Sequence, residues 1–242
     1  MFDFFKKYSK PLFEGLCDIH NHLLPGIDDG SKSIRMSLKM LKTYQKLGFK
    51  SVIPTPHIYK ELYPNTPKSI KEAFNILKQN EPKENNIKFR SYAAEYMVDE
   101  IFMKDLEENK PLLFLKENYI LLETNFFGKS TMLEMACFIL SQRNIIPILA
   151  HPERYHLIES ISAYQNLKNK GFYFQLNALS LLGQYGPNVK LKSEKLLKAG
   201  LYDLVGTDAH CQKDLILLEN LKLSKKQGIQ WDAIKEIQLE LF

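Results

Sequence analysis

Residues 16–30 read Leu-Cys-Asp-Ile-His-Asn-His-Leu-Leu-Pro-Gly-Ile-Asp-Asp-Gly. The stretch opens as a short buried strand at 16–20 and within a dozen residues sets down His20, His22, Asp28 and Asp29. Imidazoles and carboxylates at the carboxyl end of a strand imply chemistry there, and the rest of the chain repeats the pattern. Six further apolar runs read as strands, at 51–55, 88–94, 119–123, 146–150, 172–176 and 203–207. The second leads into His57 (Pro-Thr-Pro-His) and the third into Glu95. The fourth ends at Glu123, the fifth at His151 (Ala-His-Pro-Glu-Arg) and the seventh at Asp208-Ala-His210. Five of the six histidines thus follow strands, which one accident per strand does not explain.

Between the strands lie helical patterns near 33–47, 67–80, 97–108, 130–143, 155–170 and 189–199, with two more toward the carboxyl end. Ser31-Lys-Ser33 suits a helix cap, and Gly48, Gly171 and Gly200 stand where helices stop. Repeated β-α alternation implies parallel strands, in an open doubly wound sheet or a closed barrel. Neither a Gly-x-Gly-x-x-Gly turn nor a phosphate loop follows an early strand, which argues against a nucleotide-binding sheet. In a barrel, the strand carboxyl ends converge on one face.

Composition sets outer bounds. With 45% hydrophobic residues, the 242-residue chain is expected to form one domain, in which residues 1–15 precede a motif-bearing core at 16–215. No apolar run approaches a membrane span, and charge interrupts the first residues too early for a signal peptide, so a cytoplasmic protein is expected. Three widely spaced cysteines, Cys17, Cys137 and Cys211, argue against a disulfide framework. The net charge of +5 is spread over scattered lysines, so no nucleic-acid partner is expected.

Imidazole and carboxylate without thiolate suits zinc, iron or manganese, and the nine donors other than Asp28 are too many for one ion, so two or three are implied. Four carboxylates set against three divalent ions and a bridging hydroxide leave a weakly positive pocket. Such a pocket suits a phosphomonoester dianion.

The ordered series Asp18-Ile-His-Asn-His22, Asp28-Asp-Gly-Ser31, Pro-Thr-Pro-His57, His151-Pro-Glu-Arg-Tyr155 and Thr207-Asp-Ala-His210 resembles the PHP (polymerase and histidinol phosphatase) superfamily. Its Asp-Asp-Gly and His-Pro-Glu-Arg-Tyr elements are similar to those of the manganese-dependent tyrosine phosphatases of bacterial capsule and exopolysaccharide operons. The resemblance implies a distorted (β/α)7 TIM-like barrel and three divalent ions, Mn2+ foremost, with iron or zinc as alternatives. It allots His20, His22 and Asp208 to one ion, with Glu95 bridging to a second that takes Glu123 and His151. Asp29, His57 and His210 make the third site. The implied reaction is hydrolysis of phosphotyrosine by a metal-activated hydroxide. The implied partner is a phosphotyrosine protein, the tyrosine-rich tail of a bacterial tyrosine kinase. Histidinol phosphate, a nucleic-acid 3′ end, or a non-enzymatic metal-held scaffold are the other readings.

Several residues stay open on sequence alone. Asp28 either caps the following turn or orients a ligand histidine. Arg154, one of four arginines, either grips phosphate or pairs with Glu153. Asp208 is a candidate acid for the leaving group, although a metal ligand is normally ionised. Where the family places a second arginine after the last Asp-x-His, this chain has Gln212 and Lys213, with Lys213 a weak substitute. The Cys-x5-Arg spacing of Cys137 and Arg143 matches cysteine-dependent tyrosine phosphatases, but the segment lacks glycine and lies in a helical run, so Cys137 is expected in the core. Cys211, beside His210, reads as an inert neighbour. Phe2, Phe4, Phe5, Leu12 and Phe13 with Lys6, Lys7 and Lys10 are expected either to form a short helix under the barrel or to dock a kinase or membrane.

Overall fold

A computed structural model of the chain describes residues 8–125, 131–156 and 158–242. Its strands are β1 (Cys17–Asp18), β2 (Ser51–Val52), β3 (His57–Ile58), β4 (Lys88–Phe89), β5 (Glu95–Met97), β6 (Tyr119–Glu123), β7 (Ile146–Ala150), β8 (Tyr173–Asn177) and β9 (Leu204–Gly206). They form a three-stranded sheet in the order β1-β2-β4 and a six-stranded sheet in the order β3-β5-β6-β7-β8-β9, and every pairing is parallel.

Nine strands reduce to the seven expected, because two are interrupted. Pro54 and Pro56 carry no amide hydrogen, so the strand expected at 51–55 is interrupted after β2 and resumes beyond its expected end as β3. Pairing continues across the break through the amides of the neighbouring segments: Ala93 N donates to Pro54 O at 2.9 Å and Glu95 N to Pro56 O at 3.1 Å. In the same way β4 runs on into β5. The ring closes where β9 meets β1, since Asp208 N donates to His20 O at 2.8 Å and His22 N to Ala209 O at 3.0 Å. These links make a distorted (β/α)7 barrel.

Strand alternation then sorts the side chains by height. Residues two apart share a face, and Ile53-Thr55-His57, Ala93-Glu95, Tyr119-Leu121-Glu123, Tyr173-Gln175-Asn177 and Leu204-Gly206-Asp208 form such series. Their lower members Ile53, Ala93, Leu121 and Leu204 pack with Cys17, Ile19, Ile148 and Ala150 into one apolar cluster. The upper members are polar and stand at the carboxyl ends. A second, larger cluster, including Leu122, Leu149, Phe174 and Leu176 from the opposite strand faces, packs the helices around the barrel.

The helices are α1 (Ile34–Leu47), α2 (Pro67–Gln79), α3 (Glu100–Glu107), α4 (Thr131–Ser141), α5 (Ile161–Asn169), α6 (Pro187–Lys198), α7 (Gln212–Leu218) and α8 (Lys225–Leu241). Ser33 caps α1, and Gly48 ends it at φ 90°. The helix expected from 155 starts six residues later. His151 sits at φ 35°, Pro152–Arg154 make one 3-10 turn, and Ser160 caps α5. That interruption places Arg154 beside the barrel mouth.

The expectation of a short helix falls mostly on residues outside the described ones, and residues 8–16 hold no helix. They run irregularly along α8: Trp231 Nε1 donates to Leu12 O at 3.0 Å, Lys10 pairs with Asp232 at 2.8 Å, and Phe13 stacks on Phe49. Phe2, Phe4, Phe5, Lys6 and Lys7 lie outside the described residues. No described helix is long and apolar enough to cross a membrane.

Candidate metal centre

Imidazoles and carboxylates from five of the seven barrel strands meet at the carboxyl end in three overlapping donor groups, and His151 from a sixth stands beside them. His20, His22, Glu95 and Asp208 form one, His57, Glu95 and Glu123 another, and His22, Asp29, His57 and His210 a third. Within the first, His20 Nε2 lies 3.2 Å from Glu95 Oε2 and 3.3 Å from Asp208 Oδ1, and His22 Nε2 lies 3.2 Å from Asp208 Oδ1. Two donors each about 2.1 Å from one ion stand about 3.0–3.4 Å apart, so this spacing fits a shared ion. In the second group His57 Nδ1 is 3.1 Å from Glu95 and 2.9 Å from Glu123. In the third, Asp29 Oδ1 is 3.5 Å from both His57 Nε2 and His210 Nε2, and the His22 and His210 rings stack at 3.9 Å.

All nine expected positions are drawn together, with one difference in grouping. The resemblance sets His151 with Glu95 and Glu123. In the structure His57 Nδ1 completes that trio, while His151 Nε2 lies 2.9 Å from the other Glu95 oxygen.

His20 Nε2, His22 Nε2, His57 Nδ1 and Glu95 Oε2 are buried without a hydrogen-bond partner. Several orphaned buried polar atoms turned toward one space would be costly unless a ligand satisfies them. Nitrogen and oxygen donors with no thiolate among them fit divalent ions of the zinc, iron or manganese type. The charge balance of the bare protein agrees. Burial alone would lower the His20 pKa, but the Glu95 and Asp208 carboxylates outweigh it and raise it to about 10. Against the same burial, Glu95 and Glu123 push His57 to about 12, and Asp29 and Asp208 push His210 to about 9. Burial opposes ionisation of Glu95 and Asp208, yet the surrounding histidines hold both carboxyls well below the usual range. Without metal, protons take the place of cationic charge.

The ligand rings are aimed by residues behind them. His22 Nδ1 donates to Asp28 Oδ2 at 2.8 Å, while Asp28 Oδ1 accepts from Gly30 N at 2.9 Å. Asp28 thus does both things considered for it, capping the turn and orienting a histidine. A Cβ on Gly30 would lie 2.3 Å from the Cβ of His22, so the Asp-Asp-Gly turn needs its glycine. His20 Nδ1 donates to Gln175 Oε1 at 2.7 Å. Asp18, wholly buried, accepts from Tyr44 OH at 2.7 Å and Thr207 N at 3.0 Å, fixing β1 to β9 beside the site. Asp208 takes φ 50°, a left-handed conformation rare outside glycine, as His151 does.

Arg154 Nη1 donates to Asp208 Oδ2 at 2.8 Å, and its guanidinium lies 4.4 Å from the Tyr185 ring centroid. Glu153 is turned inward, where it accepts from Asn177 N and Tyr202 OH. Asn177 Nδ2 also donates to Asp208 Oδ2 at 2.8 Å. Sequence reading passed over Gln175 and Asn177, and their signal is parity: both sit two apart on β8, the one barrel strand without a chelator. Lys213 is exposed on α7, and Gln212 is turned to Thr43. Cys137 is buried within α4, Sγ 3.1 Å from Lys170 O, and Arg143 donates to Leu106 O, so the Cys-x5-Arg spacing forms no phosphate loop.

Residues 16–216 match the family described as capsular polysaccharide synthesis, CpsB/CapC. The chain belongs to that family. It is 32% identical over 196 residues to the tyrosine-protein phosphatase YwqE of Bacillus subtilis, covering 81% of this chain and 77% of the relative. Its identity to the putative tyrosine-protein phosphatase CapC of Staphylococcus aureus is likewise 32%, over 202 residues, covering 81% of this chain and 77% of CapC. A solved structure from the study of YwqE of Bacillus subtilis and CpsB of Streptococcus pneumoniae, metal-dependent tyrosine phosphatases, superposes with a TM-score of 0.76 at 28% identity, covering 93% of this chain and 94% of that one. Similarity to the phosphotriesterase of Mycobacterium tuberculosis, at 10% identity, TM-score 0.51 and 96% of each chain, is one of fold alone.

Proposed function

We propose that this protein is a metal-dependent protein-tyrosine phosphatase, cytoplasmic, whose substrate is the phosphorylated tyrosine-rich tail of a bacterial tyrosine kinase that governs capsule or exopolysaccharide synthesis. The observation that carries the reading is the set of three overlapping donor groups with Arg154 beside them. His20, His22, Asp208, Glu95, Glu123, His151, Asp29, His57 and His210 would hold three divalent ions, Mn2+ foremost. Bound there, the ions would supply Lewis acidity to polarise the phosphoryl oxygens and to make water nucleophilic near neutral pH.

The chain's own residues do the rest. Arg154 offers a planar fork that matches phosphate oxygens, and its stack on Tyr185 holds the fork in place before substrate arrives. Gln175 and Asp28 leave Nε2 of His20 and His22 free by occupying Nδ1. Asp208 accepts from Arg154 and Asn177 and stays ionised, which suits a ligand rather than a proton donor. A phenol leaves with modest help, because its pKa is about 10, so no dedicated acid is needed.

The test is side-by-side turnover of a phosphotyrosine peptide, histidinol phosphate and single-stranded DNA by purified protein of measured metal content. Preference for the peptide is expected. Faster turnover of either other substrate would overturn the substrate assignment.

A further inference from the structure

From the geometry at the rim of the site, we propose that Tyr63 is a specificity-determining residue that packs against the phenyl ring of the substrate and selects aryl over alkyl phosphates. The inference rests on the phosphatase reading above and names what chooses its substrate. Exposure locates the opening. The side chain of Asp29 is 45% exposed, that of His210 27% and that of Arg154 21%, whereas those of His20, His22 and Glu95 are closed off. Substrate therefore reaches the donor groups between the Asp29–His57–His210 side and Arg154.

Tyr63 stands on that rim. Its ring is stacked on His57, with centroids 5.2 Å apart and planes 13° from parallel, and it is partly exposed. Among the described residues no other aromatic ring packs against it. The residue is built in. Tyr63 N donates to Tyr59 O at 2.6 Å and Tyr59 N to Tyr63 O at 3.1 Å, closing a tight loop. Asn65, buried two residues on, donates to His57 O at 2.9 Å and to Ile27 O at 2.8 Å, tying the loop to the Asp28–Asp29 turn.

A phosphate held by the ions and Arg154 projects its ester group outward past this rim. A phenyl group is rigid and long enough to lie along the Tyr63 ring, whereas a serine or glycerol ester is short and saturated and presents no ring to stack. An aromatic pair favours the aryl ester by about three- to tenfold.

The readout is the ratio of kcat/KM for a phosphotyrosine peptide to that for a phosphoserine peptide of the same sequence. Metal content is measured in each variant, and p-nitrophenyl phosphate and glycerol phosphate serve as a second pair. In Tyr63→Ala and Tyr63→Leu both ratios should fall by about three- to tenfold. In Tyr63→Phe, which keeps the ring and loses only the hydroxyl, they should stay within about twofold of the starting value. Equal losses on aryl and alkyl esters, or a Tyr63→Phe variant that loses as much selectivity as Tyr63→Leu, would overturn the proposal, leaving Tyr63 as a prop for His57. Unmutated protein that, loaded with manganese, hydrolyses no phosphomonoester would instead sink the phosphatase reading beneath it.

Discussion

Replacing Gln175 by leucine isolates the support of a ligand from the ligand itself. The side chain is buried. It accepts from His20 Nδ1 at 2.7 Å and donates to Leu176 O at 2.6 Å, and the space around it is closed: a Cβ on Gly206 would lie 2.8 Å from its Nε2. Leucine nearly fills the volume but offers no acceptor. The His20 Nδ1 hydrogen then has no partner in a buried place, a loss of about 1–3 kcal/mol. Nothing fixes the tautomer that frees Nε2 for metal. Loss of such a partner behind a ligand histidine weakens metal binding by about 10–100-fold, or about 1.4–2.7 kcal/mol at 1.36 kcal/mol per tenfold, which agrees with the first figure. The assay titrates metal-stripped protein with Mn2+ against a chromogenic chelator and follows turnover as the metal is raised. The apparent dissociation constant should rise by about 10–100-fold, with much of kcat returning at saturation, and Gln175→Glu, which keeps an acceptor, should lose less. Unchanged metal affinity in Gln175→Leu would refute the orienting role.

Glu95→Gln removes a buried anion shared by two donor groups, so metal stoichiometry and turnover should fall together, the latter by more than about 10²-fold; full occupancy with normal rate would contradict the bridge. Arg154→Ala should leave metal content near normal and lower kcat/KM by about 10²-fold, since a charge-assisted phosphate contact is worth about 2–3 kcal/mol; an unchanged kcat/KM would confine Arg154 to its bond with Asp208. Metal uptake should release protons. Carboxylate neighbours overcome burial to hold His20 at about 10, His57 at about 12 and His210 at about 9 in the metal-free protein, and a ligating ring must be neutral. Raised values mean that these rings stay protonated as pH falls, so affinity weakens toward acid. Calorimetry in two buffers of different ionisation enthalpy should show proton release at about pH 7.5, and heats independent of buffer would exclude it.

The barrel was readable because its strands are buried on both faces and each ends in a polar residue of fixed parity, as at Leu121 and Glu123 or Leu204 and Asp208. The break at Pro54–Pro56 has its signal in two residues without an amide hydrogen, whereas the one before Glu95 has none, since only the hydrogen-bond ladder changes there. The turn after His151 escaped for a related reason: Tyr155 and Tyr164 look like one helical stripe, but the Tyr155 hydroxyl bonds back to Ala150 O and Tyr164 to Pro152 O, so they pin a loop instead. At the site, chelating residue types announce themselves, and supporting residues do not. Gln175 and Asn177 are ordinary polar residues until His20 and Asp208, distant in sequence, are placed against them. Asp28 was visible only because it adjoins Asp29. Tyr63 carried no signal at all, as its partner His57 is reached through a loop whose closure only the backbone reveals.

The central claim, that metal held by His20 through His210 does the chemistry, is tested most directly by phosphotyrosine turnover in protein stripped of metal by prolonged chelation and verified as metal-free, beside Cys137→Ser in its metal-loaded form. Burial raises the Cys137 thiol pKa, and the side chain sits mid-helix without a phosphate loop. The account predicts no turnover by the metal-free protein, recovery when Mn2+ is restored, and activity in Cys137→Ser that is lowered only by altered packing. Metal-free protein that still hydrolyses phosphotyrosine, together with an inactive Cys137→Ser variant, would contradict it.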